Sequence, residues 1–274
     1  MKAAVVHDPD AVPVYGDFPE PEVGDGRALV ELVGAGIHHV VRSRIAGRHY
    51  STAGAWPAVP GVDAVARTPD GRLVYTGFIT PPWGTMAERM AVPAAFGIPL
   101  PDGADPLAVA AGMNPGAASW LPLSARRDRL RDTPGAPGLG TVIVLGASGV
   151  AGGIAIDNAY ALGATGVVAV GRDAARLAAL RERNTERSTG AEHDTQHDTE
   201  HDTDTATATA TATATDTDTE HNAGLGRDRT GEHRALRTVV LGTDPEATER
   251  DLVAALDGRP PSTVIDFLWG PVAG

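Results

Sequence analysis

The sequence contains no cysteine, few aromatic side chains and no apolar run long enough to span a bilayer. The lack of cysteine excludes disulfide bonds, thiolate zinc sites and cysteine nucleophiles. The amino-terminal apolar segment is short and meets His7 and Asp8 at once, which argues against a signal peptide. The sequence has no basic stripe with interleaved aromatic residues, so nothing in it indicates nucleic-acid binding. We therefore expect a soluble cytoplasmic protein with neither a nucleic-acid nor a membrane partner.

The net charge of −12 is concentrated in one segment of low complexity. Residues 184–235 carry 12 acidic and 4 basic side chains, so they contribute −8 of this charge. They repeat His-Asp-Thr, then alternate alanine with threonine, and hold almost no large apolar residue. Such a segment cannot offset its ordering entropy, which predicts a disordered insertion. Its histidines at 193, 197 and 201 could bind a transition metal on a helix, but a repeat-expanded loop is the plainer interpretation.

The stretch from residue 141 to residue 152 is the most informative part of the chain. Its first five residues are apolar or β-branched and predict a buried parallel strand, and a glycine-rich turn and a helical pattern follow. This order is typical of a dinucleotide site, where glycines let the backbone approach the pyrophosphate and the helix N-terminus favours the anion. Ala147 stands where the usual pattern has its first glycine. The predicted cofactor-binding residues here are Gly146, Ser148, Gly149, Val150, Ala151 and Gly152.

A second apolar strand, residues 167–170, completes a βαβ unit and ends about 20 residues after the glycine turn, as such sites require. An NAD site would place a carboxylate there, but the first polar side chain is Arg172, whose guanidinium suits a 2′-phosphate. This favours NADP(H). Two alternatives stay open: Arg172 could merely cap the strand in solvent, and Asp173 could bind a ribose hydroxyl or cap the next helix.

The rest of the chain reads as a β-rich region followed by an α/β region. In the first, we predict strands at 3–6, 27–33 and 72–77, which frequent prolines and glycines separate, as in a small barrel. Further elements are predicted as a helix at 105–112, a linker at 133–138, a helix at 173–183, strands at 238–241 and 263–268, and a helix at 245–256 that Thr243 or Asp244 would cap. Only four of the six strands of a full Rossmann domain are visible.

Several motifs follow one another in the order of a known family. They are Met1-Lys2-Ala3-Ala4-Val5-Val6, Arg48-His49-Tyr50 ahead of residues 57–63, Trp83-Gly84-Thr85-Met86-Ala87-Glu88, Pro99-Leu100-Pro101-Asp102-Gly103, the glycine turn and Gly171-Arg172. On these motifs the chain resembles zinc-independent members of the medium-chain dehydrogenase/reductase superfamily, of the quinone oxidoreductase type. The resemblance covers nearly the whole chain outside residues 184–235.

This resemblance implies an α/β plus β fold. A GroES-like β-barrel domain would occupy residues 1–125, and a partial Rossmann domain residues 126–274, with the disordered insertion 184–235 inside it. The family also implies pairing into homodimers. Because the visible sheet is short, a non-catalytic NADP-binding fragment or pseudoenzyme is the alternative to an active enzyme.

The resemblance further implies NADPH-dependent hydride transfer to a quinone, an enone or a carbonyl, without metal. The protein then mainly orients the two reactants and can supply a proton. Tyr50 matches a tyrosine that lines the substrate cleft in the family and is the predicted catalytic residue, although a purely structural tyrosine is the alternative. The family's threonine contact to the cofactor is missing from residues 116–120, where Ser119, or Asn114 nearby, could replace it.

Zinc-dependent relatives bind their metal with a cysteine near position 38 and the histidine of a Gly-His-Glu motif. The corresponding places here hold His38 and Gly61-Val62-Asp63, so no metal site is predicted. His38 and His39 alone would not form one, since adjacent residues on a strand point to opposite faces.

Overall fold

The structure is a computed structural model that describes residues 1–9, 11–49, 56–133, 138–197 and 236–268, with side chains up to residue 187 in the fourth range. The chain divides into two compact units, Met1–Pro115 and Gly116–Gly274. This division falls earlier along the chain than the boundary expected at residue 125, and the domain bounds 1–125 and 126–274 stay a prediction.

The first unit is built mainly of antiparallel strands. Its elements are β1 (Lys2–Val5), β2 (Val14–Asp17), β3 (Arg27–Ala35), α1 (His39–Ile45), β4 (Asp63–Arg67), β5 (Leu73–Gly77), β6 (Arg89–Pro93), β7 (Ile98–Pro99) and the start of α2 (Pro106–Arg131). β1 pairs with β2, and the other strands form one sheet in the order β6-β3-β4-β5-β7. The strands expected at 3–6, 27–33 and 72–77 are confirmed, with small shifts at their ends.

Strand β4 is buried because both faces of its sheet are covered. Ala64 and Ala66 point to one side and pack with Met90 of β6, whereas Val65 points to the other and packs with Tyr75 of β5. This alternation is what a strand with two covered faces requires. It also places the first residue of β4 in a buried environment.

The second unit contains a parallel sheet with helices. After the later part of α2, its elements are β8 (Thr141–Leu145), α3 (Val150–Ala161), β9 (Gly166–Gly171), α4 (Ala174–His197), β10 (Leu236–Val240), α5 (Pro245–Leu256) and β11 (Pro261–Asp266). The strands pair in the order β10-β9-β8-β11, all parallel. The central strands β8 and β9 are buried because one core cluster covers each face of the sheet.

Helix α2 is much longer than the helix expected at 105–112. Pro115 and the glycines on either side of it read as helix breakers in the sequence, yet the helix continues to Arg131. Packing explains the difference, since Leu123 is completely buried against Val142 and Val144 of β8. The prediction that the helix ends near residue 112 was therefore wrong.

Helix α4 also extends further than the helix expected at 173–183 and enters the segment expected to be disordered. Asp157 of α3 forms ion pairs with Arg187 at 2.8 Å and with Arg183 at 3.6 Å. These ion pairs connect this part of α4 to α3. Residues 198–235 lie outside the described residues, as do the side chains of the three histidines considered for metal binding.

Helix α5 occupies the residues expected for it. The Asp244 side chain accepts hydrogen bonds from the backbone N–H groups of Glu246 at 3.0 Å and Ala247 at 3.3 Å, so Asp244 is the N-cap. The strands expected at 238–241 and 263–268 are present as β10 and β11, each beginning two residues earlier and ending one or two residues earlier than expected. None of the helices in the described ranges is both long enough and apolar enough to cross a bilayer.

Candidate functional site

The glycine turn that follows β8 is tied to the end of the neighbouring strand β9. Gly146 has a φ of +78°, in the left-handed region that favours glycine. The backbone N–H groups of Gly146 and Ala147 both donate to the carbonyl of Val170 at 2.9 Å. Gly149 then donates to the Gly146 carbonyl at 3.0 Å and takes the extended conformation of the N-cap of α3. The turn is therefore fixed from both sides.

Helix α3 approaches this turn so closely that only glycine fits at position 152. A Cβ atom there would lie 2.3 Å from the Gly146 oxygen and 2.6 Å from the Ala147 Cα atom, both of them backbone. The next residue, Gly153, has ample room, since a Cβ atom there would meet only the Leu180 side chain at 3.8 Å. Gly152 therefore lets α3 pack closely against the turn.

The residues at the start of α3 face solvent. Gly149 is exposed, Val150 is 72% exposed, and Ser148 and Ala151 are half-buried. The first N–H groups of a helix have no intrahelical partner, so this end offers donors to an anion. Ser148 lies against β9, because a Cβ atom at Gly171 would be 3.0 Å from the Ser148 hydroxyl.

Two arginines lie beside the turn. Arg172 follows Gly171 and is exposed, which fits both a contact to a phosphate and the alternative of a strand cap in solvent. Arg176, which the sequence analysis missed, donates from Nη1 to the Ser148 carbonyl at 3.4 Å. Arg176 comes four residues, or one helical turn, after Arg172 at the end of β9, and this spacing is the sequence signal that predicts it to lie near Arg172.

Asp173 serves as the N-cap of α4, which was one of the two alternatives left open. Its Oδ1 accepts from the backbone N–H of Arg176 at 3.0 Å, and its Oδ2 lies 3.4 Å from Nε of the same residue. The carboxylate is thus engaged by Arg176, while the Arg172 guanidinium next to it remains exposed to solvent.

Ser119 and Asn114, the candidates to replace the family's threonine, both make contacts inside the protein. Ser119 is completely buried on α2, where its hydroxyl donates to the Gly116 carbonyl at 3.2 Å and accepts from Asn158 of α3 at 2.9 Å. Asn114 forms a side-chain hydrogen bond with Tyr75 in the first unit. A cofactor contact by either residue stays a prediction.

The first unit brings together two positions that the sequence analysis named in separate motifs. Nε2 of His38 lies 3.1 Å from Oδ2 of Asp63, and the Tyr75 hydroxyl donates to the same oxygen at 2.7 Å. Burial, followed by the bond to Asp63, raises the pKa of Tyr75 above its ordinary value. In the ranges that the structure describes, no group of three or more His, Cys, Asp or Glu side chains could hold a metal ion.

One expectation about these histidines was wrong. His38 and His39 were expected to be neighbours on a strand, whereas His38 is the N-cap of α1 and His39 is the first residue of that helix. The short connection after β3 turns directly into the helix, so the alternation of strand faces does not apply there. Tyr50, the predicted catalytic residue, lies outside the described residues.

The chain is similar to known oxidoreductases in sequence and in fold. No profile of a known protein family matches the chain. In sequence, the chain is 30% identical over 191 residues to a probable NADPH-dependent quinone reductase of Emericella nidulans. The aligned region covers 58% of this chain and 52% of that protein. The chain therefore spans about half the length of the curated relative that it matches.

Two solved structures show the same fold. The quinone oxidoreductase of Thermus thermophilus, solved also in complex with NADPH, superposes with a TM-score of 0.54 at 22% sequence identity. The match covers 94% of this chain and 85% of the Thermus thermophilus chain. A probable oxidoreductase of Mycobacterium abscessus superposes with a TM-score of 0.56 at 25% sequence identity. That match covers 72% of this chain and 66% of the Mycobacterium abscessus chain. The chain is thus similar to a quinone reductase over part of its sequence and to a quinone oxidoreductase in its fold, which agrees with the resemblance that the motifs predicted.

Proposed function

We propose that the chain is an NADPH-dependent oxidoreductase of the quinone oxidoreductase type, which reduces a quinone, an enone or a carbonyl without metal. The observation that carries this proposal is the glycine turn at the carboxyl end of β8, with Arg172 and Arg176 beside it. The quinone reductase of Emericella nidulans, named as NADPH-dependent, supports the same choice of cofactor.

The topology supports a partial Rossmann domain in the second unit. Numbered by their place within that unit, its strands stand in the order 3-2-1-4, which is the order of the first four strands of the six-stranded dinucleotide-binding sheet. In that fold the ligand lies beyond the carboxyl ends of the strands, next to the first one, where the glycine turn is. The antiparallel sheet of the first unit supports the proposal of a GroES-like barrel there.

The residues at the turn fit a dinucleotide. The backbone from Gly146 to Gly149 makes a tight turn with little side-chain bulk, and exposed Val150 and half-buried Ala151 begin a helix whose N–H groups can bind the pyrophosphate. Gly152 keeps that helix close to the turn. When bound, the cofactor supplies the hydride, and the chain's own residues hold and orient it.

The two arginines are proposed to select NADPH by binding its 2′-phosphate. Replacing both, Arg172→Ala with Arg176→Ala, removes two charge-assisted bonds, each of which contributes about 1.5–3 kcal/mol. We expect the Kd for NADPH to rise roughly 100-fold and the Kd for NADH to change less than about threefold, as fluorescence titration would measure.

Arg181→Ala is the matched control, because Arg181 is an exposed arginine further along the same helix. It should leave both affinities unchanged. An equal loss of NADPH and NADH binding in the double variant would show that the arginines only support the fold, and a loss in the control would point to a general charge effect.

The proposed activity is tested by following NADPH oxidation with a panel of quinones, enones and aldehydes. Turnover on at least one acceptor class is expected. The second candidate is a non-catalytic NADP-binding protein. Tight NADPH binding without turnover on any acceptor would support that candidate instead. Tyr50 as the substrate-contacting residue, homodimer formation and a cytoplasmic location stay proposals from the resemblance.

A further inference from the structure

The two residues that follow strand β11 lie against the glycine turn. The backbone N–H of Phe267 donates to the carbonyl of Leu145, the residue before Gly146, at 3.2 Å. A Cβ atom at Gly146 would lie 3.2 Å from the Cβ atom of Phe267 and 3.4 Å from Cδ2 of Leu268. Phe267 and Leu268 therefore border the turn, and we refer to this pair as the β11 wall.

The path of the β11 wall is set by a side chain. Oδ1 of Asp266, the last residue of β11, accepts from the backbone N–H of Leu268 at 2.7 Å. A bond from an aspartate to the N–H two residues later makes the side chain imitate a backbone turn. Asp266 is itself exposed, whereas Phe267 packs against the core cluster on one face of the sheet and Leu268 is half-buried. The Asp266 carboxylate thus holds Leu268 in place beside the glycine turn.

The order of the strands places the β11 wall and the two arginines on opposite sides of the turn. In the order β10-β9-β8-β11, the strand that ends before Arg172 lies on one side of β8, and β11 lies on the other. Adjacent strands are about 4.8 Å apart, so the ends of β9 and β11 are roughly 10 Å apart. The chain order reverses between β8 and β11, and in such sheets dinucleotides bind at the point of reversal.

The two sides of the turn also differ in chemistry. The β9 side carries Arg172 and Arg176, whose guanidinium groups suit a phosphate. The β11 side carries the apolar Phe267 and Leu268, and an apolar side chain suits the flat face of a ring. NADPH has a matching asymmetry, because its pyrophosphate joins an adenosine half that bears the 2′-phosphate to a nicotinamide half that carries no phosphate beyond the pyrophosphate.

We propose that Asp266 is a positioning residue for the cofactor, which holds Leu268 against the turn so that this leucine bounds the space for the nicotinamide half. The inference rests on the cofactor in the proposed function and does not depend on turnover. The nicotinamide half is the same in NADPH and NADH, so Asp266 acts on both cofactors alike. In this respect it differs from the two arginines, which are proposed to discriminate between them.

The experiment measures the Kd of three ligands by calorimetry: NADPH, NADH and adenosine 2′,5′-bisphosphate, which carries the 2′-phosphate but lacks the nicotinamide half. We expect Asp266→Ala to raise the Kd of NADPH and of NADH about tenfold each, while the Kd of the bisphosphate stays within about twofold. Leu268→Ala should show the same pattern with a rise of about fivefold. This second variant tests the β11 wall directly if Asp266→Ala does not fold.

Asp266→Asn is the rescue variant, because its amide oxygen can accept the same bond from Leu268. Its three affinities should stay within about threefold of the wild type. Asp251→Ala is the matched control, since Asp251 is an exposed aspartate in the middle of α5, and it should change none of the affinities. Circular dichroism establishes that each variant is folded.

The outcomes separate this inference from the proposed function. A wild type that binds neither NADPH nor the bisphosphate overturns both. A wild type that binds NADPH without turnover overturns the proposed activity, while the three affinities still decide the inference. Unchanged affinities in Asp266→Ala overturn the inference alone. Equal losses of NADPH and the bisphosphate, or an Asp266→Asn as weak as Asp266→Ala, likewise overturn it, because they indicate a general effect on the fold or on charge.

Discussion

Gly152→Ala should lower the free energy of unfolding of the second unit by about 3 kcal/mol and abolish tight NADPH binding. The added methyl group would lie 2.3 Å from the Gly146 oxygen and 2.6 Å from the Ala147 Cα atom. Both atoms are backbone, so relief requires α3 to move away from the turn or the turn to change shape. Chemical denaturation and NADPH titration of the same variant measure the two effects.

Gly153→Ala is the control for this variant, because it makes the same chemical change one residue later. A Cβ atom there meets only Leu180 at 3.8 Å, and alanine is a better helix former than glycine by about 0.5–1 kcal/mol. We therefore expect Gly153→Ala to be neutral or stabilising and to keep NADPH affinity. Similar behaviour of the two variants would contradict the close packing of helix on turn.

Leu123→Ala should lower the free energy of unfolding by about 3 kcal/mol, the usual range for a fully buried leucine. Leu123 lies in the second half of α2, is completely buried and packs in the same cluster as Val142 and Val144 of β8. The variant removes side-chain contacts on one face of the sheet and leaves a cavity there. Urea denaturation of the variant and the wild type gives the difference.

Leu121→Ala is the matched control, since Leu121 lies two residues earlier on the same helix and is 66% exposed. Its substitution should change stability by less than about 0.5 kcal/mol. If Leu121→Ala were as destabilising as Leu123→Ala, the assignment of the buried face of α2 would be wrong.

The βαβ unit was predictable because each of its signals is local. The β-branched residues of β8, the glycines of the turn and the arginine after β9 depend on backbone sterics and burial, which the sequence carries directly. Asp244 as the cap of α5 is a signal of the same kind, and the structure confirms it.

The long helix α2 could not be predicted in this way. Its proline and glycines favour an interruption locally, and the helix persists because residues far along the chain bury one of its faces. The contact between His38 and Asp63 was missed for a similar reason. These residues are 25 positions apart, and only the pairing of β3 with β4 brings them together.

The direction of α4 determines where the repetitive segment joins the protein. The helix begins beside the glycine turn and has 24 residues, so its far end is about 36 Å from its first residue. The next described residue is Leu236, which pairs with Val167 near the start of β9. This pair lies at the amino-terminal ends of the strands, whereas the glycine turn lies at their carboxyl ends. Both described residues that border the repetitive segment, His197 and Leu236, therefore lie away from the glycine turn.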